Sequence, residues 1–364
     1  MKALTINLKF IKTTLMWLLL SGVIFSSCKK SDPVVVVPPA DKVALQAAIA
    51  TGQNLNDNTS EGTKPGQYEV GNKAALKTAL DASKLVAADA KATQTSVNNA
   101  TAQLVAAIAT YEDHLIKEIA AANLIGFWKM NGNTADSSGN KNDGVATAGH
   151  AYYGAGVLGA AADRFSRAGM AYHFDKGSNI NVPYKASLNP GQMSISLWAK
   201  WSSTGRTINA DTYTFVAMNR WNGYKFQLQS GHLPFFTVKV LKAAGDTTIY
   251  DRDDAGVAVA ENTWRHLVVT FTSGVEKFYI DGDLVKTWDV TSSGPVPGNA
   301  LTLPTPIDFV IGQDLPTAKY LTVDGDYQVK WGGFFTGDMD DVMFYNIALD
   351  APQVKSIFTN QKTL

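Results

Sequence analysis

The chain has 364 residues, a formal net charge of zero and a single cysteine. That balance gives no long-range pull toward nucleic acid or an acidic membrane surface, and one cysteine excludes an internal disulfide. Hydrophobic residues at 45% and aromatics at 10% supply a large core, and the length leaves room for more than one domain.

The N-terminus opens with Lys2, Lys9 and Lys12, followed by an apolar run over 15–25 that is too short to span a bilayer. Phe25-Ser26-Ser27-Cys28 comes next. This resembles a bacterial lipobox, which implies that residues 1–27 are a signal peptide and that Cys28 is acylated and held in outer-membrane lipid. The periplasmic and surface faces both stay open. Residues 28–40, with three prolines and a valine run, read as an extended tether.

Over 41–122 alanine dominates. Leu45 and Ile49 begin a helix expected to end near Gly52 or slightly beyond, and the turn-rich segment 57–71 reads as a loop. Leu76, Leu80 and Leu85 mark a second helix. Val97, Leu104, Ile108, Tyr111 and Leu115 mark a third, with Thr95 or Ser96 as its N-cap. Three amphipathic helices predict a small bundle. The run EGTKPGQY, the leucine-alanine helix and TQTSVNNA…LVAAI resemble FIVAR-type modules, found beside wall- and sugar-binding domains. A spacer and an independent binding module both fit.

From Asn123 the pattern turns to β. LIGFWKMNGN, SNINVPY, MSISLWAKW, TFVAMNR, YKFQLQ, PFFTVKV, DTTIYD, IDFVIGQ and MDDVMFYN read as short strands between turns. The clearest unit is WRHLVVTFTSGVEKFYIDGD (264–283), a hairpin with tight turns at Ser273-Gly274 and Asp281-Gly282. A helix over about 351–358, capped by Asp350 with Pro352 in its first turn, closes the chain. The fold class is therefore mainly β, an antiparallel sandwich preceded by a three-helix bundle.

LIGFWKMNGN–ADSSGNKNDG, MSISLWAKW, WRHLVVTF, FYIDGD, FVIG and GDMDDVMFYNIALDAPQV, in that order, resemble the laminin-G-like, concanavalin A-like jelly roll of secreted bacterial proteins. The resemblance places that domain at 123–364. It implies lectins, glycosidases, adhesion modules or inert spacers without choosing between them.

Hydrolysis of a glycosidic bond needs two flanking carboxylates. Only Glu261 and Glu276 are glutamates beyond residue 123, and both read as solvated turn residues. Adjacent Asp340 and Asp341 are expected on opposite strand faces. No Gly-x-Ser-x-Gly elbow is present, and the five histidines lack zinc spacing. His266 reads as a packing or hydrogen-bonding residue.

Calcium is the metal to consider, because Gly-Asn-Asp loops supply hard oxygens. Asn131, Asn133 and Asp136 could meet Asp340 or Asp341 if the first and last strands are neighbours. Asp251-Arg252-Asp253-Asp254 reads as an exposed loop. For a sugar ligand the candidates are aromatics with planar polar neighbours: Arg220, Trp221, Asn222 and Tyr224 in one turn, and Tyr320, Tyr327 and Trp331 in an aromatic-rich loop over 313–337 that also holds Asp324, Asp326, Phe334 and Phe335. Trp128, Trp198 and Trp264 read as structural, with a loop over Trp198. The leading expectation is a lipid-anchored, non-catalytic glycan-binding protein. A protein-interaction component of a surface complex and a diverged hydrolase are the alternatives.

Overall fold

The computed structural model describes residues 38–150, 153–206, 212–241, 247–253, 256–272, 274–289, 307–319 and 333–363. Cys28, Tyr320, Tyr327 and Trp331 lie outside the described residues, as does most of the tether.

Three helices, α1 (Val43–Asn58), α2 (Lys73–Ala88) and α3 (Gln94–Asp113), pack through Leu76, Leu80, Leu104 and Ile108. Helix α1 continues through Gly52. The missing side chain there faces Leu80 and Leu104, where a Cβ would already touch both at 3.4 Å. Close packing, not chain termination, explains that glycine. The N-cap of α3 is Thr93, whose hydroxyl accepts from Ser96 N, two residues earlier than Thr95. Within the expected loop, β1 (Glu61–Gly62) pairs with β2 (Tyr68–Glu69), and Tyr68 stacks on Tyr111 at 4.2 Å.

Two antiparallel sheets face each other over one core. The seven-stranded sheet runs β12 (Thr247–Asp253), β11 (Leu233–Leu241), β10 (Tyr224–Gln229), β9 (Tyr213–Met218), β16 (Phe309–Ile311), β7 (Asn179–Val182), β4 (Val145–Thr147). The eight-stranded sheet runs β15 (Asp283–Asp289), β14 (Val275–Ile280), β13 (Arg265–Thr272), β8 (Met193–Trp201), β17 (Gly337–Tyr345), β6 (Ala171–Phe174), β5 (Gly159–Ala161), with β3 (Leu124–Trp128) also paired to β17. Phe215, Phe226 and Phe236 from one sheet meet Ile195, Leu197 and Phe344 from the other. Trp128 is fully buried among them and donates from Nε1 to Asn142 O at 2.9 Å.

The expected hairpin is β13–β14, in register Leu267 to Ile280. Asp281 (φ 53°) and Gly282 (φ 79°), both left-handed, form the two-residue turn from β14 into β15 that Asp-Gly favours. Strands β4, β5 and β15 carry weak strand signals. Their neighbours supply the pairing edge.

Glu276 overturns an expectation. It shares the inward face of β14 with Phe278 and is 2% exposed. Neither carboxyl oxygen finds a hydrogen-bond partner among the described residues. Burial pushes this carboxyl well above its ordinary range, against a smaller pull from Arg252. Glu261 does sit at the surface, accepting from Ser203 N and Oγ.

The last helix, α4 (Ala351–Gln361), begins with a complete capping box: Asp350 Oδ1 accepts from Gln353 N at 3.1 Å, and Gln353 Oε1 from Asp350 N at 2.9 Å. It lies on the outer face of the eight-stranded sheet, with Val354 against Val268, Tyr279 and Tyr345. Phe358 stacks over Trp198 and His266, each at 5.8 Å, so a helix covers Trp198 rather than a loop. The same helix holds the bundle: Ser356 Oγ donates to Thr63 O at 2.6 Å and Gln353 Nε2 to Lys117 O at 3.3 Å.

Candidate ligand-binding face

Alternation along β10 and β11 sends Tyr224, Phe226, Phe236 and Val238 into the core. Lys225, Gln227, Phe235, Thr237 and Lys239 therefore point away from the core; Lys225, Gln227 and Thr237 are buried there, while Phe235 and Lys239 are partly exposed. Register assembles them: Lys225 pairs with Thr237 and Thr237 with Asp251, while Gln227 pairs with Phe235. The Lys225 ammonium lies 4.7 Å from the Trp221 ring and 5.9 Å from the Phe235 ring, between two aromatic planes. Burial lowers its pKa to about 8, against the attraction of Asp314 and Asp251. Thr237 Oγ1 donates to Asp251 Oδ1 at 2.6 Å, and Gln227 Nε2 to Gln229 Oε1 at 2.5 Å.

The turn before β10 places Trp221 at this face. Asn219 (φ 62°) and Arg220 (φ 49°) are consecutive left-handed residues, a conformation asparagine tolerates and arginine resists. Arg220 is held in it by charge: its Nε is 2.7 Å from Asp314 Oδ2, with both side chains buried. Asn222 Oδ1 accepts from Lys239 Nζ at 3.2 Å. Close by, burial pushes His150 down to about 4, helped by Arg220 and Arg206. Arg206 lies 4.5 Å from the Tyr213 ring and 4.4 Å from Phe334.

Of the sequence candidates, Trp221 and Asn222 are partly exposed at this face and Arg220 braces them from beneath. Tyr224 is a correction. It is fully buried and donates its hydroxyl to Leu188 O at 2.6 Å, so it belongs to the core. Phe335 is likewise buried, edge-on to Phe174 at 6.0 Å. The Asp251–Asp253 segment is the end of β12, not a loop.

The described calcium candidates are engaged by protein groups. Asp136 accepts from the N–H groups of Phe127, Ser138 and Asn142 and from Ser138 Oγ. Burial alone would raise this carboxyl, but those donors together hold it below its usual range. The Asn131 amide faces the carbonyls of Lys129 and Met170, and with its nitrogen assigned to that side it donates to them at 2.9 and 3.2 Å.

Asp340 and Asp341 bind Arg164 instead, at 2.5 and 2.9 Å. They reach one guanidinium because β17 bulges, which corrects their expected placement on opposite faces. Asp341 (φ 48°) and Val342 together oppose a single residue of β8. Burial, then the neighbouring carboxylate, pushes Asp340 up against the opposing pull of Arg164. No group of three or more His, Cys, Asp or Glu able to hold a metal occurs among the described residues.

The family described as the concanavalin A-like lectin/glucanases superfamily matches residues 174–355, half of the 364-residue chain. The chain belongs to that superfamily. Its concanavalin A-like sandwich is similar to domain 4 of AbnA, an extracellular arabinanase of Geobacillus stearothermophilus solved with arabinotriose. Identity is 21%, the TM-score 0.42, and coverage 65% of this chain and 98% of that one. It is also similar to the binding domain of Paraclostridial Mosquitocidal Protein 1, at 17% identity and a TM-score of 0.45, covering 67% of this chain and 53% of that one. A gellan lyase of Bacillus sp is 49% identical over 83 residues, 22% of this chain, and the chain spans 3% of that lyase.

On this concanavalin A-like domain, sequence reading missed Lys225, Phe235, Thr237 and Lys239, and took Asp251 for a loop residue. The alternation in YKFQLQ and PFFTVKV already separates their outward face. Only the register shows that they lie side by side.

Proposed function

We propose that the chain is a non-catalytic carbohydrate-binding protein, anchored through acylated Cys28, that holds its glycan on the outer face of the seven-stranded sheet. One observation carries this reading: Trp221, Asn222, Phe235 and Lys239 are partly exposed and Asp251 exposed on one sheet face, with the buried Lys225 and Thr237 bracing the rings and the carboxylate from beneath. A pyranose presents an apolar C–H face and a ring of hydroxyls, and such a surface matches both.

Binding fits better than cleavage. Glycosidases place two carboxyl groups across the scissile bond. Here Asp340 and Asp341 share one wall and one guanidinium on the other sheet. On the binding face Asp251 is exposed and Asp314 is buried against Arg220.

Purified protein run through gels containing polysaccharides tests the proposal. Trp221→Ala is expected to weaken glycan retention by about ten- to a hundredfold, the loss of about 1–3 kcal/mol typical of a central aromatic. Unchanged retention would remove the site. For the anchor, Cys28→Ser should move the protein from the membrane fraction to the soluble fraction; a variant that stays with the membrane refutes acylation.

A further inference from the structure

Resting on the carbohydrate-binding reading, we infer that the glycan is acidic and that the Lys239 ammonium, bonded to Asn222 in the turn that carries Trp221, receives a uronate carboxylate of the bound chain. Lys239 faces outward from β11 and is partly exposed. Its Nζ is 3.2 Å from Asn222 Oδ1, and Asn222 follows Trp221 in the same turn.

No carboxylate lies within ion-pair distance of Lys239 among the described residues. Its cross-strand partner on β12 is Ile249, apolar and 41% exposed. Asp251 sits diagonally across, within reach of a long side chain. Yet Lys239 turns the other way, to an amide oxygen, while Asp251 accepts from Thr237. The second acid of this face, Asp314, is already matched by Arg220.

An amide oxygen neutralises nothing, so this charge is left for the ligand to meet. A lysine is a point charge without the two-pronged geometry of arginine. It selects for negative charge at that spot more than for one orientation. The zero net charge of the chain adds no long-range attraction, so the discrimination is local.

Affinity electrophoresis of the full chain in gels holding polygalacturonate, its carboxyl-reduced neutral form, or dextran sulfate tests this. Polygalacturonate should retard the protein about tenfold more strongly than the neutral form, with retardation falling as NaCl rises. Lys239→Met should abolish that difference with the Tm unchanged, and Lys239→Arg should keep it. Equal retardation by the charged and reduced polymers, or a Lys239→Met variant indistinguishable from the parent, overturns the inference and leaves the carbohydrate-binding reading standing. Stronger retardation by dextran sulfate than by polygalacturonate overturns the uronate assignment. Retardation by none of the three overturns this inference and, if neutral glycans also fail with Trp221 intact, the reading beneath it.

Discussion

Replacing Arg164 with methionine is expected to remove about 3–5 kcal/mol of stability, the usual loss when one partner of a buried ion pair is deleted. Arg164 is 5% exposed at its side chain and does three jobs at once. It pairs with Asp340 and Asp341, donates from Nε and Nη2 to Gln361 O at the end of α4, and lies 4.7 Å from the Trp198 ring. Without it two buried carboxyl groups face each other and the helix loses its C-terminal donor. Urea unfolding at pH 8 and pH 5 measures the effect. The loss should be smaller at pH 5, where the orphaned carboxyl groups take up protons at less cost. Adding Asp340→Leu and Asp341→Leu should recover much of the stability, since apolar groups of similar size need no counter-charge. A single variant as stable as the parent at both pH values would show that the clamp contributes nothing.

Lowering the pH from 7 to 4.5 should shift stability by about 2–3 kcal/mol in favour of a His266→Gln variant relative to the parent protein. His266 is fully buried beneath α4, with Ser196 Oγ 2.8 Å from Nε2. Burial, with a smaller push from Arg164, lowers its pKa to about 3. The unfolded chain takes up a proton near pH 6.5 that the folded chain refuses until about pH 3. The stability given by neutral His266 is therefore complete above pH 6.5 and drains away as the pH falls through that window. Asp340 and Glu276 act in the opposite direction, since their carboxyl groups are raised in the fold. They are present in both proteins and cancel in the difference. A stability difference that stays flat from pH 7 to 4.5 would mean that His266 is not buried neutral.

The candidate site was only half legible. Arg220-Trp221-Asn222 drew attention because its composition is unusual, and the turn does present Trp221 and Asn222 outward. Tyr224 was grouped with them by proximity, although its alternation with Phe226 and Leu228 already pointed inward. Lys225 and Lys239 looked like ordinary strand lysines. They become informative only when β10, β11 and β12 are laid in register.

The sequence by itself determined the elements: period-two alternation marked the strands, Asp281-Gly282 the hairpin turn, and Asp350 the start of α4, because each depends on neighbours a few residues away. Tertiary structure alone decided that Glu276 points inward with no hydrogen-bond partner among the described residues, that a bulge turns Asp340 and Asp341 onto one arginine, and that Thr237 stands between Lys225 and Asp251. Those outcomes follow from cross-strand register and from the facing sheet. Backbone pairing between residues far apart in the chain fixes both, and no local pattern contains that information.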